Sequence, residues 1–336
     1  MQKIFIWGIF FLLSVSLFSQ NVSDLFSKGE SFINGGKYED ALTVYEEIVR
    51  ISPSERAYLE RGKCFFELEK YVSADKDFAN VLALNSEQTE VYYLKGVSNM
   101  HLGKAELASK ELSFFLKDNP QSVEAYYYKG VCEFQMRNFE IALDMYDNAL
   151  FIDGEYASAY NDRASTKRML NDIDGAINDY GLAIKYAPNN ASFYNNLGSA
   201  LRIKKSFKQA IKAYNKALSF ESSYLYYNNL GQTYLEMEKY DYAVRYFSKT
   251  IEIYPSYAPA YNNRGNAYHK SKTYRLAMYD FNKAITLDKS YGVAYLNRAI
   301  TFEKMNDLEA ACADYIKAQG LGIGVAESYY KLGCNE

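Results

Sequence analysis

Between Tyr227 and Pro255 the apolar and small residues fall at helical spacing. Tyr227, Leu230, Gly231 and Tyr234 come three or four apart, and Ala243 and Phe247 come four apart. Residues so spaced share one face of a helix, so the stretch predicts two amphipathic helices joined by a short turn and closed by Pro255. The pattern returns along the chain. Its small residue recurs at Gly29, Gly62, Gly96, Gly130, Ala164, Gly198, Gly231, Gly265, Ala299 and Gly333, in steps of 33 or 34 residues.

Four residues before each of these stands a tyrosine, from Tyr58 and Tyr92 through Tyr126 and Tyr194 to Tyr329; Leu25 holds that place in the first unit. Later in each unit a small residue and an aromatic come four apart, as in Ala142 and Tyr146 or Ala277 and Phe281. Small residues let two helices approach closely, and the aromatics fill the space beside them.

Aromatic, two spacers, Leu-Gly, two spacers, Tyr, then Ala, three spacers, Phe and a closing Pro resembles the tetratricopeptide family from about Val22 to the C-terminus. The resemblance implies an all-α fold: a right-handed superhelical solenoid of helix-turn-helix repeats whose first helices line the concave face. About nine repeats are expected, near 22–54, 55–88, 89–122, 123–156, 157–190, 191–223, 224–257, 258–291 and 292–325, with a capping helix over 326–336 that covers the exposed end of the core. The third repeat departs from the pattern. Leu112 stands in place of the helix aromatic and Phe115 in a slot that is mostly Ala, which predicts local repacking or a wider angle between helices.

Residues 1–20 are of another kind. Lys3 precedes an apolar run from Ile4 to Phe18, with Ser14, Ser16 and Ser19 near its end. This reads as a secretory signal cut after Ser19 or Gln20, with a membrane anchor over 4–18 as the alternative. The phrase Phe-Ser-Gln resembles signal peptides of Gram-negative bacteria of the Bacteroidetes type, which implies a periplasmic or secreted protein. The net charge of −3 gives no field that would attract nucleic acid or an anionic membrane.

No enzyme constellation is present. The two histidines, His101 and His269, lie five repeats apart and are expected on solvated helix faces. Each Gly sits alone in a helical pattern, so no phosphate-binding loop forms, and no cofactor or metal is implied. Of the four cysteines, Cys64 and Cys132 hold equivalent slots two repeats apart, too far for a bridge, and read as small core thiols. Cys312 and Cys334 fall on the last two helices, where they form either a disulfide or two buried thiols.

Directly after the slot tyrosines come Asn161-Asp162, Asn195-Asn196, Asn228-Asn229 and Asn262-Asn263, then Asn297 one place further on. Asn costs a helix interior roughly half a kcal/mol against Ala, so its recurrence calls for a reason. The amides either stitch neighbouring first helices together or offer donors and acceptors to a bound peptide. Here the chain is similar to the repeat arm of O-linked N-acetylglucosamine transferases. That likeness implies peptide binding at Asn196, Asn229, Asn263 and Asn297, with Asp162 departing from it at one end.

The earlier repeats carry Leu59-Glu60, Tyr93-Leu94 and Tyr127-Tyr128 in those slots. Tyr126 is expected in the core, with Tyr93, Tyr127 and Tyr128 facing a ligand. The Lys or Arg needed at the first slot for the chaperone-tail clamp of some relatives is absent. The expected function is therefore a non-enzymatic scaffold outside the cytoplasm that binds another protein through an extended peptide or helix. The alternative is an accessory arm that holds substrate or glycan for a separate cell-envelope enzyme, because tyrosine-rich grooves also stack sugars.

Overall fold

A computed structural model describes residues 21–334, so the signal-like segment lies outside the described residues. The chain is an all-α repeat solenoid, and no strand occurs among the described residues. It divides into two compact units at Leu170 and Asn171. The first unit holds a helix over 21–34 and then Tyr38–Ile51, Glu55–Glu67, Tyr71–Leu84, Thr89–His101, Ala105–Asp118, Val123–Gln135, Phe139–Ile152 and Ala157–Met169. The second holds Ile173–Tyr186, Ala191–Ile203, Phe207–Phe220, Tyr224–Glu236, Tyr240–Ile253, Ala258–Lys270, Tyr274–Leu287, Gly292–Lys304, Leu308–Gly320 and Val325–Gly333.

Each pair closes on one contact. In six pairs the ring of the second-helix aromatic lies directly against the first helix at its glycine. A Cβ built on Gly29 or Gly130 would sit 2.6 Å from Tyr45 or Tyr146, on Gly198 2.7 Å from Tyr214, and on Gly231 2.6 Å from Phe247. These rings are almost wholly excluded from solvent. In the third repeat Leu112 takes the same fully buried place over Gly96, and Phe115 turns aside to pack on Tyr93 at 5.1 Å. That is the repacking the bulky residue called for.

The tyrosine that opens each first helix does something else. Tyr126, expected in the core, is only half-buried, as are Tyr92, Tyr160 and Tyr194. Their rings lean on the core from its rim. The hydroxyls of Tyr92, Tyr160 and Tyr194 donate to the carbonyls of Ser86, Gly154 and Pro188, six residues back, at 3.3, 3.2 and 2.9 Å. At these three positions the tyrosine ties its helix to the turn before it, which a phenylalanine could not do.

Within each unit, first helices of neighbouring repeats touch directly, and no second helices come comparably close. The first-helix layer is thus the inner one. Turns inside the repeats end on a residue in the left-handed region, with φ of 55° at Glu69, 58° at Glu238 and 63° at Lys272, a conformation that favours glycine. At the C-terminal end Ala326 is fully buried, Tyr329 stacks on Tyr315 at 5.6 Å, and a disulfide joins Cys312 to Cys334 with Cα atoms 5.7 Å apart.

Two glycine-to-alanine changes in the second unit should have opposite signs. At Gly181, on an exposed helix surface, a Cβ meets nothing within 4 Å. Gly181→Ala should gain up to about 1 kcal/mol of helix stability. At Gly231 the same gain is opposed by overpacking that typically costs ~1–3 kcal/mol. Chemical-denaturant midpoints should therefore rise for Gly181→Ala and fall for Gly231→Ala; movement in the same direction contradicts the close contact.

Candidate functional site

The inner layer of the second unit carries the asparagines, and they are linked in a fixed diagonal order. Asn229 Nδ2 donates to Asn195 Oδ1 at 2.8 Å, Asn263 to Asn228 at 3.1 Å, and Asn297 to Asn262 at 2.9 Å. In each case the second Asn of one repeat donates to the first Asn of the repeat before. Side by side in one repeat, Asn195 also donates to Asn196, and Asn262 to Asn263, both at 3.4 Å. The amides do stitch repeat to repeat. A carboxamide has two N–H groups, however, and the diagonal takes one. The second N–H of Asn229, Asn263 and Asn297 has no protein partner among the described residues, and all three side chains are half-exposed.

In the first unit the same diagonal is made by other chemistry. The Tyr127 hydroxyl donates to Asp162 Oδ2 at 2.8 Å, and Asn161 Nδ2 donates to Asp162 Oδ1 at 2.8 Å. Tyr127 is therefore not free to meet a ligand. Its ring is held among Tyr128, Tyr146 and Tyr156, at 5.4, 6.1 and 5.2 Å. Burial, then the Asp162 charge, push the Tyr127 phenol well up; burial pushes Tyr156 up to about 12. Burial likewise raises Asp162, although the bonds from Tyr127 and Asn161 pull the other way. Tyr93 and Tyr128, with ring centroids 6.3 Å apart, form the half-exposed aromatic ledge of this face.

Neither histidine makes a site. His101 is exposed and stacks on Tyr71 at 4.4 Å. His269 is half-buried rather than solvated, because the next repeat covers it. The Thr301 hydroxyl lies 2.8 Å from Asn297 O and shares a hydrogen bond of 2.9 Å with His269 Nδ1. Burial, then Lys270 and Lys304, hold His269 below its ordinary pKa. No group of His, Cys, Asp and Glu able to hold a metal occurs among the described residues. Cys64 and Cys132 are free, fully buried thiols pushed up to about 12 by burial.

One recurring feature was not read from the sequence. The residue before the small slot is Arg or Lys in most repeats, and in five of them a carboxylate stands 16 residues later, at Asp77, Glu111, Asp179, Asp280 and Asp314. Arg61 grips Asp77 with two bonds of 2.7 and 2.8 Å, Arg264 grips Asp280 with two of 2.8 Å, and Arg298 grips Asp314 at 2.6 and 2.7 Å. Arg264 and Arg298 also reach back 16 residues, to Ser248 Oγ at 3.0 Å and Asn282 Oδ1 at 2.6 Å. Lys95 does the same work between Glu111 and Asp75, at 2.6 and 2.8 Å. Burial acts against the Lys95 charge, and the two carboxylates more than offset it, so its pKa is raised. The i, i+16 charge pairing was the signal that could have revealed these clamps.

Family profiles described as tetratricopeptide repeat match residues 26–78 and 93–160, 191–224, 258–291 and 293–321, and 224–257; one described as TPR repeat matches 166–202. The chain belongs to the tetratricopeptide repeat family. Tetratricopeptide repeat protein 13 of Homo sapiens is 32% identical over 68 residues, 20% of this chain and 8% of that relative, so the match spans under a tenth of its length. Among solved structures, a tetratricopeptide repeat protein from Parabacteroides merdae is similar with TM-score 0.59 and 17% identity, over 74% of this chain and 99% of that one. The APC/C hetero-tetramer Cut9-Hcn1 gives TM-score 0.59 and 17% identity, over 89% and 59%. Yeast Tom70 gives 0.50 and 13%, over 94% and 96%. At these identities the likeness shows the repeat fold.

Asp162 yields a pH test. Its folded pKa is raised above the unfolded value of about 3.9, so its contribution is fully present below that value and is lost as pH rises through the folded pKa. Asp162→Asn cannot titrate, still accepts from Tyr127, and completes the amide pattern. The stability of Asp162→Asn relative to wild type should therefore grow from pH 4 to pH 7 in thermal melts. A difference that stays constant with pH contradicts this environment for Asp162.

Proposed function

We propose that the protein is an exported, non-enzymatic scaffold whose inner face holds an extended segment or helix of another protein. The observation that carries this reading is the row of Asn229, Asn263 and Asn297. Each is oriented by its diagonal bond and keeps a second N–H without a protein partner. Fixing a donor before the ligand arrives lowers the entropy that binding must overcome. Stitching and binding are then two uses of the same side chain. The ledge of Tyr93 and Tyr128 offers apolar contact on the first unit's inner face. Export is supported by the Lys3-led apolar segment and by the Cys312–Cys334 disulfide, since such bonds persist in oxidising compartments.

A photo-crosslinking residue placed singly at Tyr93, Tyr128, Asn229 or Asn263 should capture one polypeptide partner in the cell. The same group at Tyr279, exposed on the second helix Tyr274–Leu287, should not. Asn229→Ala with Asn263→Ala should lower the melting temperature by breaking the stitch. Well below melting it should also weaken the captured partner's affinity about tenfold or more, at ~0.5–1.5 kcal/mol per lost bond. Unchanged affinity there contradicts a ligand role for the amides, and crosslinks to glycan alone contradict a protein partner. The mature chain should begin at Gln20 or Asn21 with Cys312 and Cys334 resistant to alkylation; an intact Met1 start would assign residues 4–18 to an anchor.

A further inference from the structure

In the repeat that begins at Ala191 the Arg clamp is missing at all three of its positions at once. Where Arg61, Arg163, Arg264 and Arg298 stand in other repeats, this one has Leu197. The next repeat also lacks the pair, with Leu230, but there Tyr246 stands at the carboxylate position. The carboxylate site 16 residues later is Ala213, and the polar site 16 residues earlier is Gly181. The equivalent triad one repeat from the C-terminal end is Asn282, Arg298 and Asp314, fully bonded. Removing the clamp removes the side chains that fill the space between second helices. What remains is an apolar groove of about 760 Å³ on the face opposite the inner layer. Its floor is Leu197, packed with Leu201 and Ala213, and one wall carries Ile177 and Gly181 on helix Ile173–Tyr186.

The other wall decides what the groove would accept. Lys212 and Lys216, one turn apart on helix Phe207–Phe220, stand exposed along its rim, and neither pairs with a carboxylate among the described residues. No acidic side chain lines the groove. We propose that this outer groove is a second docking site, for an acidic amphipathic helix of a partner protein. Apolar side chains of that helix would enter between Ile177 and Leu197, and carboxylates a turn apart would meet Lys212 and Lys216. Cations four apart on one helix suit carboxylates at the same helical spacing, and the apolar floor supplies the desolvated centre that a hot spot requires. This surface is separate from the asparagine row, which lies on the inner layer.

The clamp itself supplies a variant that should fold, because other repeats already contain it: Leu197→Arg with Ala213→Asp. The full chain is probed with a random 16-residue peptide library displayed on phage, and the enriched peptides are synthesised for fluorescence anisotropy. The proposal expects enriched sequences with apolar residues three or four apart flanked by Asp or Glu. Their affinity should drop at least tenfold on Leu197→Arg/Ala213→Asp and on Lys212→Glu/Lys216→Glu, while both variants melt within a few degrees of wild type. Should the clamp variant misfold, Gly181→Leu fills the same groove and must give the same loss. Peptides without acidic flanks, or affinity unchanged in the filled variants, overturn the proposal. So does binding of decanoate in place of any peptide, or self-association of the wild type that the filled variant abolishes.

Discussion

The contact on which everything else rests is an aromatic ring lying against a glycine backbone. At Gly29, Gly62, Gly130, Gly198, Gly231 and Gly265 there is no room for even one methyl group between the first helix and the ring of the second. A close-packed interior does not absorb such an intrusion by compressing; something has to move. The contact thereby fixes how near the two helices of a pair lie. That distance places an Arg within reach of an Asp 16 residues on, and holds neighbouring first helices close enough for an amide of one to reach an amide of the next. Ala299 occupies the glycine slot above Tyr315 in the last full repeat, near the disulfide-pinned cap. There, as at Ala164, the slot holds a methyl group for which the glycine-bearing repeats have no space.

Polar chemistry is layered on this spacing in two ways. On the inner layer the diagonal link joins repeats, whether as Asn to Asn or as Tyr127 to Asp162, and it leaves donor capacity over. Between second helices the Arg clamps fill space and satisfy carboxylates such as Asp280 that are wholly buried. A buried carboxylate without its cation would be strongly destabilising. Gly181, Leu197 and Ala213 show the joint loss, and the apolar groove is its consequence.

Much of this was legible because it depends on residue size and period. The 33- or 34-residue step, the glycines and the second-helix aromatics follow from spacing alone. The nearness of Cys312 and Cys334 followed from their lying on the last two helices. What stayed hidden depends on where side chains point. Nothing in the sequence shows the Tyr127 hydroxyl turning to Asp162, or Tyr126 and Tyr194 leaning on the core from its rim. His269 read as solvated because the covering Thr301 lies 32 residues away. The repeat turns were obscure for another reason. Glu69, Glu238 and Lys272 adopt a left-handed conformation that a glycine would have advertised, held there by the helices on either side. The clamps were within reach of a search for charge pairs 16 apart.

The central claim is that the glycine and the ring are one contact, and a double-mutant cycle on Gly265 and Phe281 tests it most directly. Gly265→Ala alone sets a new Cβ 2.8 Å from the Phe281 ring. Phe281→Ala alone removes the ring. In the double variant the shorter side chain should relieve part of the clash. Denaturant unfolding should then show the double variant more stable than the sum of the single losses predicts, by about 1 kcal/mol, within the range for residues in contact. Strict additivity of the two losses would contradict the account, because it would mean that the glycine and the ring do not share a surface.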